Sequence, residues 1–204
     1  MSGKSKWVAA VALAMAALGV TACEAQHGQP HEEVAVGEKA PEWNNLPGVD
    51  GNEHSLADLE ARLVAVVFSC HHCPVYVAYE ERLNQLQADY DKEDVLVVAL
   101  NPNNIWGEDT LDHMKARAEE LEYNFLYVHD ASQDSGHQYG ARVTPHVFLL
   151  DDERVVRYIG AIDDSQNPAN VQTTFLRDAI DALLAGEDPP LAETKAFGCT
   201  VKYE

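Results

Sequence analysis

Basic residues are scarce in this chain: 14 Lys and Arg stand against 34 Asp and Glu, a formal charge of −20 over 204 residues. A surface of that sign repels nucleic acid and anionic lipid headgroups, so neither is an expected partner through a basic face. Long apolar runs are missing too, except for residues 7–20, which are too few for a comfortable membrane span. No internal repeat is visible. With 46% hydrophobic residues the chain makes one domain of ordinary size with its own core. Cysteine is also rare, with four in all, at positions 23, 70, 73 and 199.

What is present begins at the N-terminus. Lys4 and Lys6 precede the apolar run, which closes on Val20-Thr21-Ala22-Cys23. A basic head, a short apolar middle and small residues before a cleavage point predict a secretory signal over residues 1–22. A cysteine directly after the small residues resembles the lipobox of bacterial lipoproteins, which implies that Cys23 is diacylated and becomes the first residue of the exported chain. The alternative is an ordinary signal cleaved nearby, with Cys23 a bystander. The lipobox resemblance implies a location in the cell envelope, tied to a membrane by acyl chains and facing the extracytoplasmic side. Residues 23–36, polar and containing His27, Gly28, Pro30 and His31, read as a flexible tether, and residues 37–204 as the folded domain. Outside the cytosol disulfides persist. Without Cys23 the thiols are one close pair, Cys70 and Cys73, and one odd member, Cys199.

The pair ends the stretch Val66-Val67-Phe68-Ser69-Cys70-His71-His72-Cys73-Pro74. An apolar run of strand length, residues 63–68, stops at Ser69, and an amphipathic helical pattern of roughly four turns starts at Cys73 or Pro74. The cysteines therefore fall on a strand-to-helix turn, where backbone N–H groups and the helix dipole are expected to favour thiolate at Cys70. Pro74 is tolerated just inside the helix, because its missing N–H has no partner there. A Cys-x-x-Cys near a βαβ pattern reads as a redox motif.

The remaining elements follow in order. Residues 37–51 are turn-rich and predict a small hairpin, and Ser55-Leu56-Ala57-Asp58-Leu59 a short capped helix. Residues 95–100 form an uninterrupted apolar strand of the kind buried on both faces. Asn101-Pro102-Asn103-Asn104 breaks it, and a helix is expected over 109–122. A strand at 125–128 and a short helix at 132–139, ending at Gly140, come next. Val143-Thr144-Pro145-His146 leads into a strand at 147–150 that should pair antiparallel with 155–159. Phe175, Leu176, Ala179, Ile180, Leu183 and Leu184 share one face of the last helix, closed by Gly186. The order β-α-β-α-β-α-β-β-α defines an α/β layer system.

This order, with Cys-x-x-Cys after the first main strand and Thr144-Pro145 before a late one, resembles the thioredoxin fold in its redoxin and peroxiredoxin-like (AhpC/TSA-like) branch. Residues 68–74 with Ala78-Tyr79-Glu80-Glu81-Arg82-Leu83, the Ile162-Asp163-Asp164 segment, the Leu-Leu-Ala-Gly that ends the last helix and the tail Gly198-Cys199-Thr200-Val201-Lys202 are similar to a bacterial group of thioredoxin-like redoxin proteins. The likeness spans residues 37–204. It implies an α/β thioredoxin-like fold with a central mixed sheet flanked by helices, and thiol–disulfide oxidoreductase activity toward protein thiols without a cofactor. It further implies that Cys70 is the attacking thiol, that Cys73 resolves the mixed disulfide, and that Thr144 and Pro145 present backbone to an incoming peptide. Two departures narrow the chemistry. Peroxiredoxins carry Pro and Thr before the peroxidatic cysteine where this chain has Leu63 and Val67, which disfavours peroxide reduction. Thioredoxin has a buried Asp six residues before its first cysteine where this chain has Val64, so either another group moves the proton or turnover is slower.

His71 and His72 separate the cysteines. His72 occupies the place of the histidine in strongly oxidising Cys-Pro-His-Cys sites, and an imidazolium beside a thiolate stabilises the reduced form. A Cys70 pKa below that of free cysteine and a potential above about −270 mV are therefore expected. The other reading is that both imidazoles face solvent. A different class of function uses the same turn: a Sco-like copper-handling protein that binds Cu(I) through Cys70, Cys73 and His146. Cys199 is left with three readings, a third redox thiol folded back onto the site, a partner for an intermolecular bridge, or a small buried hydrophobe. His113, His129 and His137 read as surface or packing residues. Trp106 reads as packing or a partner contact. The direction of exchange, reductase or oxidase, is open at this level.

Overall fold

The computed structural model describes residues 33–103 and 109–204. Cys23, the predicted signal, most of the predicted tether and Trp106 lie outside the described residues. The elements run β1 (Leu46–Pro47), β2 (Glu53–His54), β3 (Leu63–Phe68), α1 (Pro74–Val77), α2 (Glu80–Tyr90), β4 (Val95–Asn101), α3 (Leu111–Glu120), β5 (Leu126–His129), α4 (Asp134–Tyr139), β6 (Val143–Thr144), β7 (His146–Leu150), β8 (Val156–Gly160), α5 (Phe175–Leu184) and β9 (Cys199–Thr200). Five strands form the central sheet in the order β5-β4-β3-β7-β8. β3, β4 and β5 are parallel, and β7 and β8 run against them. This is the mixed α/β sheet expected of a thioredoxin-like chain. No helix among the described residues is long and apolar enough to cross a membrane.

β3 lies at the centre, and every one of its six residues is buried. Side chains alternate across a strand. Leu63, Ala65 and Val67 therefore enter one core with Cys70, Cys73, Tyr76, Tyr79 and α5, while Val64, Val66 and Phe68 enter the other. Leu63 and Val67, which stand where peroxiredoxins have Pro and Thr, are thus core residues with no hydroxyl to offer.

Three local expectations are modified. The single helix after the cysteines is broken at Ala78 and Tyr79: the Tyr79 N–H bonds the Tyr76 carbonyl at 2.7 Å, and the Tyr79 side chain turns into the core, where its hydroxyl donates to Asp163 at 2.7 Å. The predicted capped helix at 55–59 is one 3-10 turn, and the Ser55 hydroxyl accepts from the Asn45 N–H instead of capping it. The folded domain also begins before Gly37. Val34 is buried and Val36 packs against the second core, so the last residues assigned to the tether are part of the domain.

Candidate functional site

Cys70 lies just past the end of β3 and Cys73 caps α1, with Pro74 at the first helical position. The Cys73 N–H bonds the Cys70 carbonyl at 3.1 Å, closing the turn between them. Both are free thiols, and Cys70 is 3% and Cys73 0% exposed. The cap is made by sulfur: the Tyr76 N–H donates to Cys73 Sγ at 3.5 Å. α1 has only four residues, and although the backbone N–H groups of His72 and Cys73 favour a Cys70 thiolate, they do not offset what opposes its ionisation.

Cys70 faces a different set of groups. Its sulfur is 3.3 Å from His72 Nδ1 and 4.0 Å from Asp109 Oδ2. Asp109 is fully buried, two residues before α3. Its carboxylate pairs with His72 Nδ1 and accepts from the His71 N–H at 2.9 Å and from Asn101 Nδ2 at 3.1 Å. The expectation of an acidified Cys70 is therefore corrected. Burial first, and then the negative Asp109, push its thiol well above the usual cysteine range. Asp109 also puts a buried carboxylate beside Cys70, which Val64 cannot, and brings it from a different element. Nothing in its local pattern distinguishes it from an ordinary acid leading a helix, and it lies 39 residues from Cys70. Of the two histidines, His72 touches the sulfur, whereas the His71 ring stacks on His113 with centroids 6.5 Å apart.

Cys73 is bordered by the other predicted site residues. Its thiol donates to the Thr144 carbonyl at 3.2 Å, and the Thr144–Pro145 peptide bond is cis. Burial raises the Cys73 pKa, but Cys199 first and the Tyr76 backbone N–H with it outweigh that, so this thiol is lowered. Cys199, in turn, is raised by burial and by its hydrogen bond to Cys73. Of the three readings of Cys199, the structure places it at the pair: β9 joins β6 antiparallel with Thr144 opposite Cys199.

His146 is not brought to this site, which corrects the copper ligand set of Cys70, Cys73 and His146. It starts β7, and its ring packs on Phe148 at 4.7 Å, in the core on the opposite face of the sheet from the cysteines. The group of possible metal ligands found among the described residues is Cys70, His72 and Asp109, whose donor atoms lie within 4.8 Å of one another. Burial, and then the charge of Arg142, lower the His146 pKa to about 4, with Glu33 opposing. Unfolded, the imidazole takes a proton below about 6.5. Between those values the unfolded state binds one proton more, so stability falls as pH drops from 6.5 to 4, by about 3 kcal/mol in total. Denaturation midpoints across that window are expected to show the loss and His146→Gln to flatten it. An equally steep profile in the variant would assign the loss to other groups.

The AhpC/TSA family profile matches residues 36–159, a span that contains both cysteines of the turn and the Thr144–Pro145 pair but stops short of Cys199. A thiol-disulfide oxidoreductase ResA from Geobacillus thermodenitrificans is 32% identical over 150 residues, covering 72% of this chain and 80% of that protein. Among solved structures, an uncharacterized conserved protein from Geobacillus kaustophilus superposes with a TM-score of 0.78 at 34% identity, over 83% of this chain and 93% of that one. A putative thiol:disulfide interchange protein DsbE from Chlorobium tepidum gives a TM-score of 0.53 at 28% identity, over 61% and 83% of the two chains. With a thioredoxin-like sheet, a two-cysteine turn at the end of its central strand and this set of relatives, the chain belongs to the AhpC/TSA family.

Proposed function

We propose that the protein is an extracytoplasmic thiol–disulfide oxidoreductase acting on protein thiols and disulfides through Cys70 and Cys73. The observation that carries this reading is the 3.2 Å contact between Cys73 Sγ and the Thr144 carbonyl, which makes the two-thiol turn and the strand edge that would receive a peptide one site. The names of the ResA and DsbE relatives point the same way. Cys70 attacks the substrate disulfide, and its proton passes to His72 Nε2, 3.6 Å from the sulfur, while Nδ1 faces Asp109, whose carboxylate balances the imidazolium. Cys73 then attacks the mixed disulfide at Cys70 and releases the reduced substrate. Peroxide reduction, the chemistry of peroxiredoxins, has no support at Leu63 and Val67. Location follows from the N-terminal signal and the Cys23 lipobox resemblance, with the membrane reached through acyl chains.

The raised Cys70 thiol also bears on direction. A stabilised thiolate makes a disulfide oxidising, and here burial and Asp109 remove that stabilisation. The pair is accordingly poised as a reductant, with a midpoint at or below about −270 mV, the value of thioredoxin. The full chain carrying Cys23→Ser, equilibrated in thiol–disulfide buffers, alkylated and read by mass, is expected to show a two-electron transition there, abolished by Cys70→Ser. A midpoint near −120 mV, that of strong oxidases, would reverse the direction; no transition at all would remove the exchange reading. The Cys70, His72 and Asp109 cluster supports a second reading, metal handling. A thiolate, an imidazole and a carboxylate suit a borderline ion such as Zn²⁺ better than Cu(I). Protection of Cys70 from alkylation by zinc or copper alone, without a redox midpoint, would favour it.

A further inference from the structure

The tail of the chain is built into the site. β9 lies against β6 with Val143 opposite Thr200 and Thr144 opposite Cys199. Gly198, immediately before it, passes so close that an added Cβ would collide with the Thr144 carbonyl. That same carbonyl accepts from the Cys73 thiol. Beyond the strand the tail is pinned at successive residues: the Val201 N–H bonds the Arg142 carbonyl at 3.0 Å, the Lys202 N–H bonds Asn103 Oδ1 at 3.0 Å, and the Tyr203 hydroxyl donates to the Ala141 carbonyl at 2.6 Å. Val201 is buried in the second core. The tail thus sets Cys199 opposite Thr144, whose carbonyl Cys73 contacts, and the two thiols are near enough for each to shift the other's pKa. Cys199 is also more exposed than either cysteine of the turn.

We propose that Cys199 is a third redox-active thiol that takes the disulfide over from Cys70 and Cys73 by attacking Cys73, leaving a Cys73–Cys199 disulfide and a free Cys70. The proposal rests on the exchange reading above, in which a protein disulfide of the substrate supplies the oxidising equivalents. In the step itself the Cys199 thiol gives its proton to solvent, and its sulfur attacks Cys73 Sγ. The Cys73–Cys199 bond forms and the Cys70–Cys73 bond breaks. Cys70 leaves as the thiolate and regains a proton from His72. One disulfide is exchanged for another, and no electron enters or leaves. The outcome is that the oxidising equivalents move from a buried pair to a more accessible thiol, and the attacking cysteine is reset while they wait there.

The test maps disulfides in the full chain carrying Cys23→Ser, alone and combined with Cys70→Ser, Cys199→Ser, or Cys70→Ser with Gly198→Ala. Each form is equilibrated with glutathione and its disulfide, acid-quenched, alkylated and digested for mass analysis. With all three thiols present, linked peptides are expected for both Cys70–Cys73 and Cys73–Cys199. In Cys70→Ser, the Cys73–Cys199 link should exceed the glutathione adduct of Cys73 by about tenfold, because the competing thiol is held on the same molecule. Gly198→Ala should lower that yield severalfold by forcing β9 off Thr144, and Cys199→Ser should leave only Cys70–Cys73. A Cys70–Cys73 disulfide with no Cys73–Cys199 link in any form overturns the tail's role and leaves the exchange reading standing. The same yield with and without Gly198→Ala overturns the geometric basis. Absence of a Cys70–Cys73 disulfide in every form overturns the exchange reading, and the proposal with it.

Discussion

Asp109→Asn is expected to raise the rate at which iodoacetamide alkylates Cys70 at pH 8 by about tenfold or more. Burial is the first reason the Cys70 thiol keeps its proton and the Asp109 carboxylate the second. Two negative charges at the 4.0 Å separation seen here repel by about 4 kcal/mol at the effective dielectric of a protein site. A third of that is already about tenfold in thiolate fraction. Asparagine keeps an oxygen for the His71 N–H and for Asn101, so the turn should hold its shape. The same variant removes the carboxylate that balances a protonated His72, so exchange with a protein disulfide should slow even as alkylation quickens. Opposite movement of these two rates separates a proton-handling role from simple packing. If alkylation is unchanged or slower, the carboxylate does not govern Cys70.

Asp163→Ala is expected to cost about 3–5 kcal/mol of stability, the range for breaking a buried ion pair by removing one partner. The Asp163 side chain is 6% exposed and that of Arg82 20%, with Arg82 Nη1 2.5 Å from Asp163 Oδ2. Arg82 also donates to the carbonyls of Ser165 at 2.9 Å and Gln166 at 2.6 Å, and its guanidinium lies 3.6 Å over the Tyr79 ring. Alanine would leave this cation and the Tyr79 hydroxyl without their common acceptor. Asp163→Asn, which retains an oxygen for Tyr79, should cost about half as much. Urea unfolding with an unchanged denaturant slope is the measurement. A loss below about 1 kcal/mol for Asp163→Ala would show the pair to be screened like a surface one.

These residues show where sequence legibility ends. β3, β4 and α5 were readable because their apolar periods agree with their burial, and the cysteine turn because a strand of fixed length ends there. The shared motifs 78–83 and 162–164 were visible as text. Their reason, Tyr79 and Arg82 converging on Asp163, needed coordinates, because the partners are about 80 residues apart. A separation of 39 residues likewise hid Asp109 from Cys70. The expected acidification of Cys70 failed on quantities that the sequence does not carry, the depth at which its sulfur is buried and the approach of Asp109 from another element. His146 stands beside Pro145 in sequence, which makes it look like a neighbour of the cysteines. In a strand, adjacency in sequence assigns alternate faces, and this side chain took the wrong one for metal binding.

Because β9 already occupies the edge at Thr144, a protein that is to lie there competes with a strand the molecule carries in itself. Its apparent dissociation constant is the intrinsic one divided by the fraction of molecules with that edge open. If docking of the tail is worth about 3 kcal/mol, fewer than about one molecule in a hundred is open and the apparent affinity drops by about two orders of magnitude. Encounters of short residence are then filtered out, and the open fraction, rather than the chemistry at sulfur, sets which partners are served.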